Sequence, residues 1–343
     1  AIDRQPLNGG NGIGDQQGIA YTLTATDAAG NEVYDVDNAS GRIKVDVTYA
    51  EDTAFVYYLG ADGAEKMNSN VDTEKDRLTW TVKHFSDYAV YSTEQEASVT
   101  TAEGKITCYD TLADAINAAK DGNTVTLLKD VTLNAPTSGI SSGQGAININ
   151  KDITLDGNGK TITAGTGFSA NSGGTRGEYH VINVQNGADV TIQNLKIDGQ
   201  KTLKNEKVTS GARSGINVFT ANGSSDVTTV TLNNVTVENC TAYGVTSAGS
   251  DVTASNLNTN NNTWGGVNLD NTNSSASGGS FEMTSGNIQE ENSVYIENSK
   301  AGNTKGQKAT IHGGTFQNVS ISDGAKTAAD LTIYGGSFKN DVT

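Results

Sequence analysis

Proline and cysteine are nearly missing from this chain, which holds 2 of each among 343 residues, with 3 histidines and 2 tryptophans. Cys108 and Cys240 lie far apart in sequence, so no disulfide framework is indicated and cysteine usage fixes no compartment. His84, His180 and His312 fall in different elements and give no ligand spacing for a metal. Positive charge is scarce too: 23 Lys+Arg against 39 Asp+Glu leave a formal net charge of -16. That balance opposes binding to nucleic acid or to an anionic membrane surface, and makes an acidic polysaccharide an awkward ligand unless a local basic patch overrides it. No apolar run reaches the roughly 18 residues of a membrane span, so no membrane insertion is expected of this segment. Residue 1 does not begin a signal peptide.

What is present is a repeat. From Val181 to Thr343 each round has a short apolar strand, a polar turn, a second strand, a small Asn or Gly turn and a third strand. The leading apolar residue falls at Ile182, Ile216, Val245, Val267, Val294, Val319 and Val342, with successive differences of 34, 29, 22, 27, 25 and 23. Ile192-Gln193-Asn194-Leu195-Lys196-Ile197 matches Leu232-Asn233-Asn234-Val235-Thr236-Val237, and Ala254-Ser255-Asn256-Leu257 is a weaker copy. Later the corner becomes Gly313-Gly314 and Gly335-Gly336. Periods of about 20–50 residues signal a solenoid, and alternation within each unit signals strands. Asn tolerates the left-handed backbone of a tight corner and can hydrogen-bond along a stack, so Asn194, Asn234 and Asn256 read as a structural ladder, and the paired glycines as the same corner with residues that allow positive φ. Handedness is not readable from spacing.

Before the repeat, residues 1–18 are Gly/Asn/Gln-rich and read as a linker, residues 19–95 as a small antiparallel β-sandwich, and residues 96–104 as a second linker. Thr111–Ala119 reads as the one good helix, with Leu112, Ala115, Ile116 and Ala119 on one face and Thr111 as N-cap; it would cover the open end of the stack. The solenoid then occupies residues 105–343, and Asp341-Val342-Thr343 reads as the opening of another coil, as in a piece of a longer protein.

Two stretches carry a resemblance. Ile43-Lys44-Val45-Asp46-Val47, Val56-Tyr57-Tyr58-Leu59 before Ala61-Asp62-Gly63, and His84-Phe85-Ser86-Asp87-Tyr88-Ala89-Val90 resemble a spacer module of Gram-positive surface proteins. Ile153-Thr154-Leu155-Asp156-Gly157-Asn158-Gly159-Lys160-Thr161-Ile162, with the helix and Val125–Leu133 before it, resembles the opening coils of the pectin-lyase-like superfamily. That likeness implies an all-β chain: a right-handed three-sheet parallel β-helix with an N-terminal helical cap, plus the small sandwich. It implies little about function, because lyases, hydrolases, phage spikes and adhesins share the fold.

Two insertions, Gly165–His180 and Gln200–Ser214, break the short-turn rule at equivalent places and are expected on one flank. They hold Arg176, Glu178, Tyr179, His180, Lys201, Lys204, Glu206, Lys207 and Arg213, and the same turn in later coils carries Tyr243 and Trp264. Aromatic platforms beside charged and polar groups suit sugar rings, so Arg176, Glu178, Tyr179, His180, Lys201, Arg213, Tyr243 and Trp264 are the candidate ligand-binding residues. No catalytic residue is assigned: a lyase would need a row of calcium carboxylates near Arg176, Arg213 or Lys201, and none lines up. A hydrolase would need neighbouring acids, and Arg42-Ile43-Lys44 falls in the sandwich. Asp156-Gly157-Asn158-Gly159 reads as a tight turn, lacks a full calcium loop, and leaves no cofactor and no metal indicated. His84-Phe85 reads as an anchor of the sandwich core. The expectation is a monomeric, non-catalytic adhesin or stalk of a bacterial surface, extracellular and wall-associated or secreted, whose flank contacts a glycan or a host surface protein. A carbohydrate-active enzyme and a purely structural spacer are the alternatives.

Overall fold

The structure, a computed structural model, describes residues 1–7, 18–26, 29–33, 43–137, 144–221, 224–270, 279–297, 307–322, 329–340 and 342. It is all-β apart from one α-helix, and divides into two units: Ala1–Ala119 with Thr124–Lys129, and Lys120–Asn123 with Asp130–Thr343.

In the first unit, strands Ile2–Leu7, Gly18–Leu23, Asp87–Tyr91, Phe55–Gly60 and Gly63–Met67 form an antiparallel sheet in that spatial order. A second sheet orders Ile43–Thr48, Arg77–Val82 and Ser69–Asp72. Alternate residues of both enter one core: Tyr21, Val56, Tyr88 and Val90 from the first, Val45, Leu78, Trp80 and Val82 from the second. Tyr21 meets Trp80 edge-on at 5.6 Å between ring centroids. Phe85 packs against this core, while His84 is exposed and stacks on Tyr58 at 5.3 Å, so only the phenylalanine of that pair is an anchor.

Both stretches read as linkers contain strands. Ile2–Leu7 pairs antiparallel with Gly18–Leu23, and Ala97–Thr100 is paired on both sides, by Ile106–Tyr109 and Thr124–Leu127. Polar composition hid Ala97–Thr100, yet Ala97, Ser98 and Val99 are buried, and the strand is paired by a neighbour on each side, as buried backbone groups require. The helix runs Leu112–Ala118; the Thr111 hydroxyl accepts from the Asp114 N–H at 3.1 Å, as its sequence foretold. Its buried residues Leu112, Ala115 and Ile116 are taken up within this unit, where the helix packs on those three strands.

In the second unit the first strands of successive repeats are Gly145–Ile149, His180–Val184, Ile216–Phe219, Tyr243–Ala248, Gly265–Asp270, Val294–Ile296 and Val319–Ile321. They form a seven-stranded parallel sheet in chain order. Ile147, Ile182, Ile216, Val245, Val267, Val294 and Val319 are consecutive register partners, and Val342 bridges to Val319. The apolar column read from the sequence is thus the physical one from Ile182 to its last member, with Ile147 added ahead of it. Each fully buried Val or Ile in it contributes about 1.5–3 kcal/mol of transfer free energy.

The second and third strands merge into ten-residue strands, Asp189–Asp198, Thr229–Glu238 and Asp251–Asn260, paired in parallel with one another. Buried residues fall at Val190 and Ile192, then at Leu195 and Ile197. That alternation slips by one residue at Asn194, whose φ of 51° turns the strand through a corner. Asn234 (φ 55°) and Asn256 (φ 50°) do the same one and two rungs on.

Their amides form the expected ladder: Asn256 Nδ2 donates to Asn234 Oδ1 at 2.8 Å, Asn234 Nδ2 to Asn194 Oδ1 at 3.1 Å, and Asn194 Nδ2 to the Asp156 carboxylate at 3.3 Å. Two further ladders were not anticipated. At the other corner Asn261 donates to Asn239 at 2.7 Å, and Asn239 to Asp198 at 2.9 Å. Along the seven-stranded sheet Asn217 donates to Asn183 at 2.7 Å, and Asn183 to Asn148 at 3.0 Å. The glycine corners need one refinement. Only Gly314 (φ 118°) and Gly336 (φ 119°) are left-handed; a Cβ at Gly313 or Gly335 would instead meet the carbonyl oxygen of Thr284 or His312 at 2.6 Å. Phe316 and Phe338, two residues beyond each pair, stack at 5.2 Å.

Replacing Asn234 by Ala removes two rungs of its ladder and leaves a Cβ-bearing residue without a local amide in a left-handed conformation. The expected loss is about 1–2 kcal/mol in denaturant unfolding, and Asn234→Gly, which keeps the backbone freedom, loses less. Equal losses for the two variants would refute the corner-strain argument.

Candidate functional site

The inward side of the seven-stranded sheet is apolar, so its chemistry lies on the opposite side, where the alternating residues are polar. Asn183, Asn217, Thr246 and Asn268 share one register row, which continues to Tyr295. His180 and Tyr243 begin their strands beside that row, Ser214 lies two residues before its own, and Asp270 and Glu297 follow two residues after Asn268 and Tyr295. His180, Asn183, Ser214, Asn217, Thr246, Asn268 and Asp270 are all buried. Parallel sheets are commonly covered on both faces, but a covered polar face demands partners. Some are found, as in the Ser214 to Thr246 hydroxyl contact at 3.0 Å. Others are not: His180 Nδ1 and Asn268 Oδ1 have no hydrogen-bond partner among the described residues.

The two insertions lie side by side. Arg213 N–H donates to the Tyr179 carbonyl at 2.7 Å, Gly211 N–H to the Phe168 carbonyl at 2.9 Å, and Val208 N–H to the Gly174 carbonyl at 2.8 Å. Gly177 N–H donates to the Thr241 hydroxyl at 2.7 Å, and Thr241 in turn to the Ala212 carbonyl at 2.8 Å, tying both insertions to the next rung. The second insertion contains a hairpin, Thr202–Lys204 with Lys207–Ser210, turned by Asn205 (φ 52°) and Glu206 (φ 63°). Lys204, Glu206 and Lys207 are exposed on it.

Most of the candidate residues converge. The half-buried Arg213 guanidinium has Arg176, Asp270, Glu178 and Glu297 as its electrostatic neighbours, and burial, then Arg176, pulls it below the ordinary arginine value. Burial, with Arg213 and Arg176 beside it, holds the His180 imidazole well below its ordinary value and therefore neutral at pH 7. Arg176 donates to its neighbour carbonyl at Gly177, at 3.2 Å. Tyr243, buried, lies against Tyr295 in parallel planes at 6.4 Å and edge-on to Trp264 at 5.9 Å. Trp264 is 37% exposed, held by its N–H on the Ala242 carbonyl at 3.0 Å and its own carbonyl on Asn292 Nδ2 at 3.0 Å. Below it a groove is lined by Asn260, Asn261, Asn262, Glu290 and Asn292. The Glu290 carboxylate in its wall is buried and accepts from the backbone and side chain of Asn262 at 3.1 and 2.7 Å.

Two candidates stand apart. Lys201 Nζ is committed to the Asn261 carbonyl, and its electrostatic neighbours are Cys240 and Glu290 rather than the arginines. Tyr179 enters through its carbonyl, which holds Arg213. Asp156 accepts from Asn158 N–H at 2.8 Å and Gln193 Nε2 at 2.7 Å, the tight turn expected of that motif.

Sequence reasoning missed Asp270 and Glu297. Leu269 and Ile296 are register partners, so these acids succeed them on adjacent strands, and Glu297 N–H donates to the Leu269 carbonyl at 2.9 Å. They stand 27 residues apart in sequence, the same step that separates Val267 from Val294, and that shared step was the available signal. Burial, then the Asp270 charge, raises the Glu297 carboxyl above its ordinary value, while Asn268 and Arg213 act against the rise. Among the described residues no cluster of three or more His, Cys, Asp or Glu could hold a metal ion.

No protein-family model, no curated protein and no solved structure matches this chain.

A raised carboxyl means the folded state holds the Glu297 proton more tightly than the unfolded one. Its contribution to stability is complete below the ordinary glutamate value and is lost as pH climbs through the raised one. Glu297→Gln should therefore melt higher than the parent at pH 7, with the gain vanishing towards pH 4. Thermal melts of both proteins across that range check it, and parallel curves would count against the shift.

Proposed function

We propose that this chain is a carbohydrate-binding module of an extracellular bacterial surface protein, and that it binds a glycan on the outer side of the seven-stranded sheet. In this reading the second unit winds as a right-handed three-sheet parallel β-helix of the pectin-lyase-like kind. The unbroken register column from Ile147 to Val319, the αL corners and the variable outer insertions support that winding. The first unit acts as a spacer.

The observation that carries the binding reading is the aromatic run Trp264, Tyr243 and Tyr295 beside half-buried Arg213 and Glu297. Rings present flat apolar faces to the C–H side of a sugar, while amides and charges take up its hydroxyls. Rigid backbone holds every member, since each sits on or next to a paired strand. Long insertions on such a scaffold are where binding tends to reside.

A second reading, a carbohydrate-active enzyme, is favoured by one observation: adjacent carboxyls at Asp270 and Glu297, one of them raised. Acid–base hydrolysis of a glycosidic bond uses such a pair. Release of reducing ends from a polysaccharide panel, lost in Glu297→Gln, would establish that reading; none is expected on the binding one.

The binding reading predicts saturable binding on a glycan array, weakened at least tenfold by Trp264→Ala. Tyr334→Ala, at an exposed aromatic stacked on His312 elsewhere in the unit, should leave it unchanged. Equal effects of the two substitutions, or none of either, would refute it.

A further inference from the structure

The turn that leads into the seven-stranded sheet changes size along the stack. Ahead of His180 and of Ile216 it carries the two insertions, and then it shrinks to residues 239–242, 261–264 and 289–293. A ledge forms where long turns give way to short ones, and the groove at Trp264 lies on it. Its volume is about 560 Å³, and its lining comes from two successive rungs, residues 260–264 on one and 289–292 on the next. Lys201, at the start of the second insertion, reaches it by donating to the Asn261 carbonyl.

Hydrogen bonds between the two turns hold the groove in shape. Asn262 donates through its backbone and side chain to the buried Glu290 carboxylate, at 3.1 and 2.7 Å. Asn292 Nδ2 donates to the Trp264 carbonyl at 3.0 Å, and Gly266 N–H donates to the Asn292 carbonyl at 2.9 Å. Around these clasps stand polar groups without a use. The side chains of Asn260, Gln289 and Glu291 are exposed and make no hydrogen bond with the described residues. Asn261 and Asn292 commit their Nδ2 atoms to Asn239, at 2.7 Å, and to Trp264, which leaves each an Oδ1 without a partner among those residues. The lining thus presents amide donors and a larger number of acceptors on a fixed frame, with the Trp264 ring as part of the same wall.

Sites that enclose a drug-sized molecule measure roughly 300–1,000 Å³, so the groove has room for more than the one ring that Trp264 can carry. Sugar hydroxyl and acetamido groups each donate and accept, as this lining requires. We infer that the groove is a second subsite, taking the next residue of a sugar chain whose first residue lies on Trp264. The ligand is then a segment of an oligosaccharide or polysaccharide bearing hydroxyl or acetamido groups, rather than a single terminal sugar. This inference rests on the glycan-binding reading and specifies its ligand class.

The test titrates the whole chain with cello-, manno-, galacto- and N-acetylchito-oligosaccharides of one, two and four residues. In at least one series the tetrasaccharide should bind tenfold or more tightly than its monosaccharide, and the hydroxyl and acetamido series compared at equal length show which group the groove takes. Gln289→Ala combined with Glu291→Ala, at exposed positions outside the clasps, should remove most of that gain, with melting temperatures confirming that the variant folds. Asn260→Ala serves as a second variant if the pair does not fold, and should lower the gain at least threefold. Equal affinity for one and four residues in a series that binds would overturn the second subsite and leave the glycan reading intact. An undiminished gain in a folded groove variant would do the same. Failure of every length in every series would overturn both.

Discussion

Parallel backbone pairing of each strand with its counterpart one rung on is the constraint from which the second unit follows. A parallel strand cannot close on its neighbour by a tight hairpin, so the chain must travel round before it pairs again. What it does on the way is free; where it returns is not. Ile182 must meet Ile216 and Ile216 must meet Val245, although the step along the chain is 34 residues in one case and 29 in the other. Strict inner columns and unequal outer lengths are two sides of the same requirement, and the difference in length becomes the two insertions around Arg176 and Arg213.

Corners set the direction of that travel. A strand must leave its plane without exposing its pairing groups, and a single left-handed residue achieves this while shifting the apolar alternation by one position. Asn194, Asn234 and Asn256 add an amide that reaches the rung before. Glycine provides the same turn at Gly314 and Gly336 without the amide, and there stacked Phe316 and Phe338 follow the corner instead. Interior fit matters equally: a Cβ on Gly215 would sit 2.3 Å from Val237 Cγ1, so the first strand can begin there only with hydrogen on that side.

Much of this was legible in the residues alone. The apolar column, the corner asparagines, the Thr111 cap and the adjacency of the two insertions all rest on local signals repeated with a detectable period. Other features required knowledge of register. Asn239 and Asn261 sit at the ends of long strands, where nothing in a single repeat marks them; Asn148, Asn183 and Asn217 alternate with apolar neighbours and look like ordinary solvent positions. Asp270 and Glu297 were overlooked because acids were sought near the arginines in sequence, whereas they come from strands two and three rungs beyond the one that Arg213 precedes. Lys201 erred in the other direction: proximity in sequence to Arg213 suggested partnership, but its ammonium had an open carbonyl at Asn261 closer to hand. Composition also misled at Ala97–Thr100, where polar residues form a strand paired on both edges.

The three amide ladders share one orientation. In each, the later rung donates and the earlier rung accepts, and the two corner ladders begin on carboxylates, Asp156 and Asp198. Side-chain dipoles aligned this way add along the stack much as peptide dipoles add along a helix, with their positive ends towards the earliest rungs, where those anions stand. The ladders are therefore polarised along the stack: each closes on an acceptor at its earliest rung, Asp156, Asp198 or, for Asn148, the Gly145 carbonyl, and a rung added after the last amide meets an oxygen that calls for a donor.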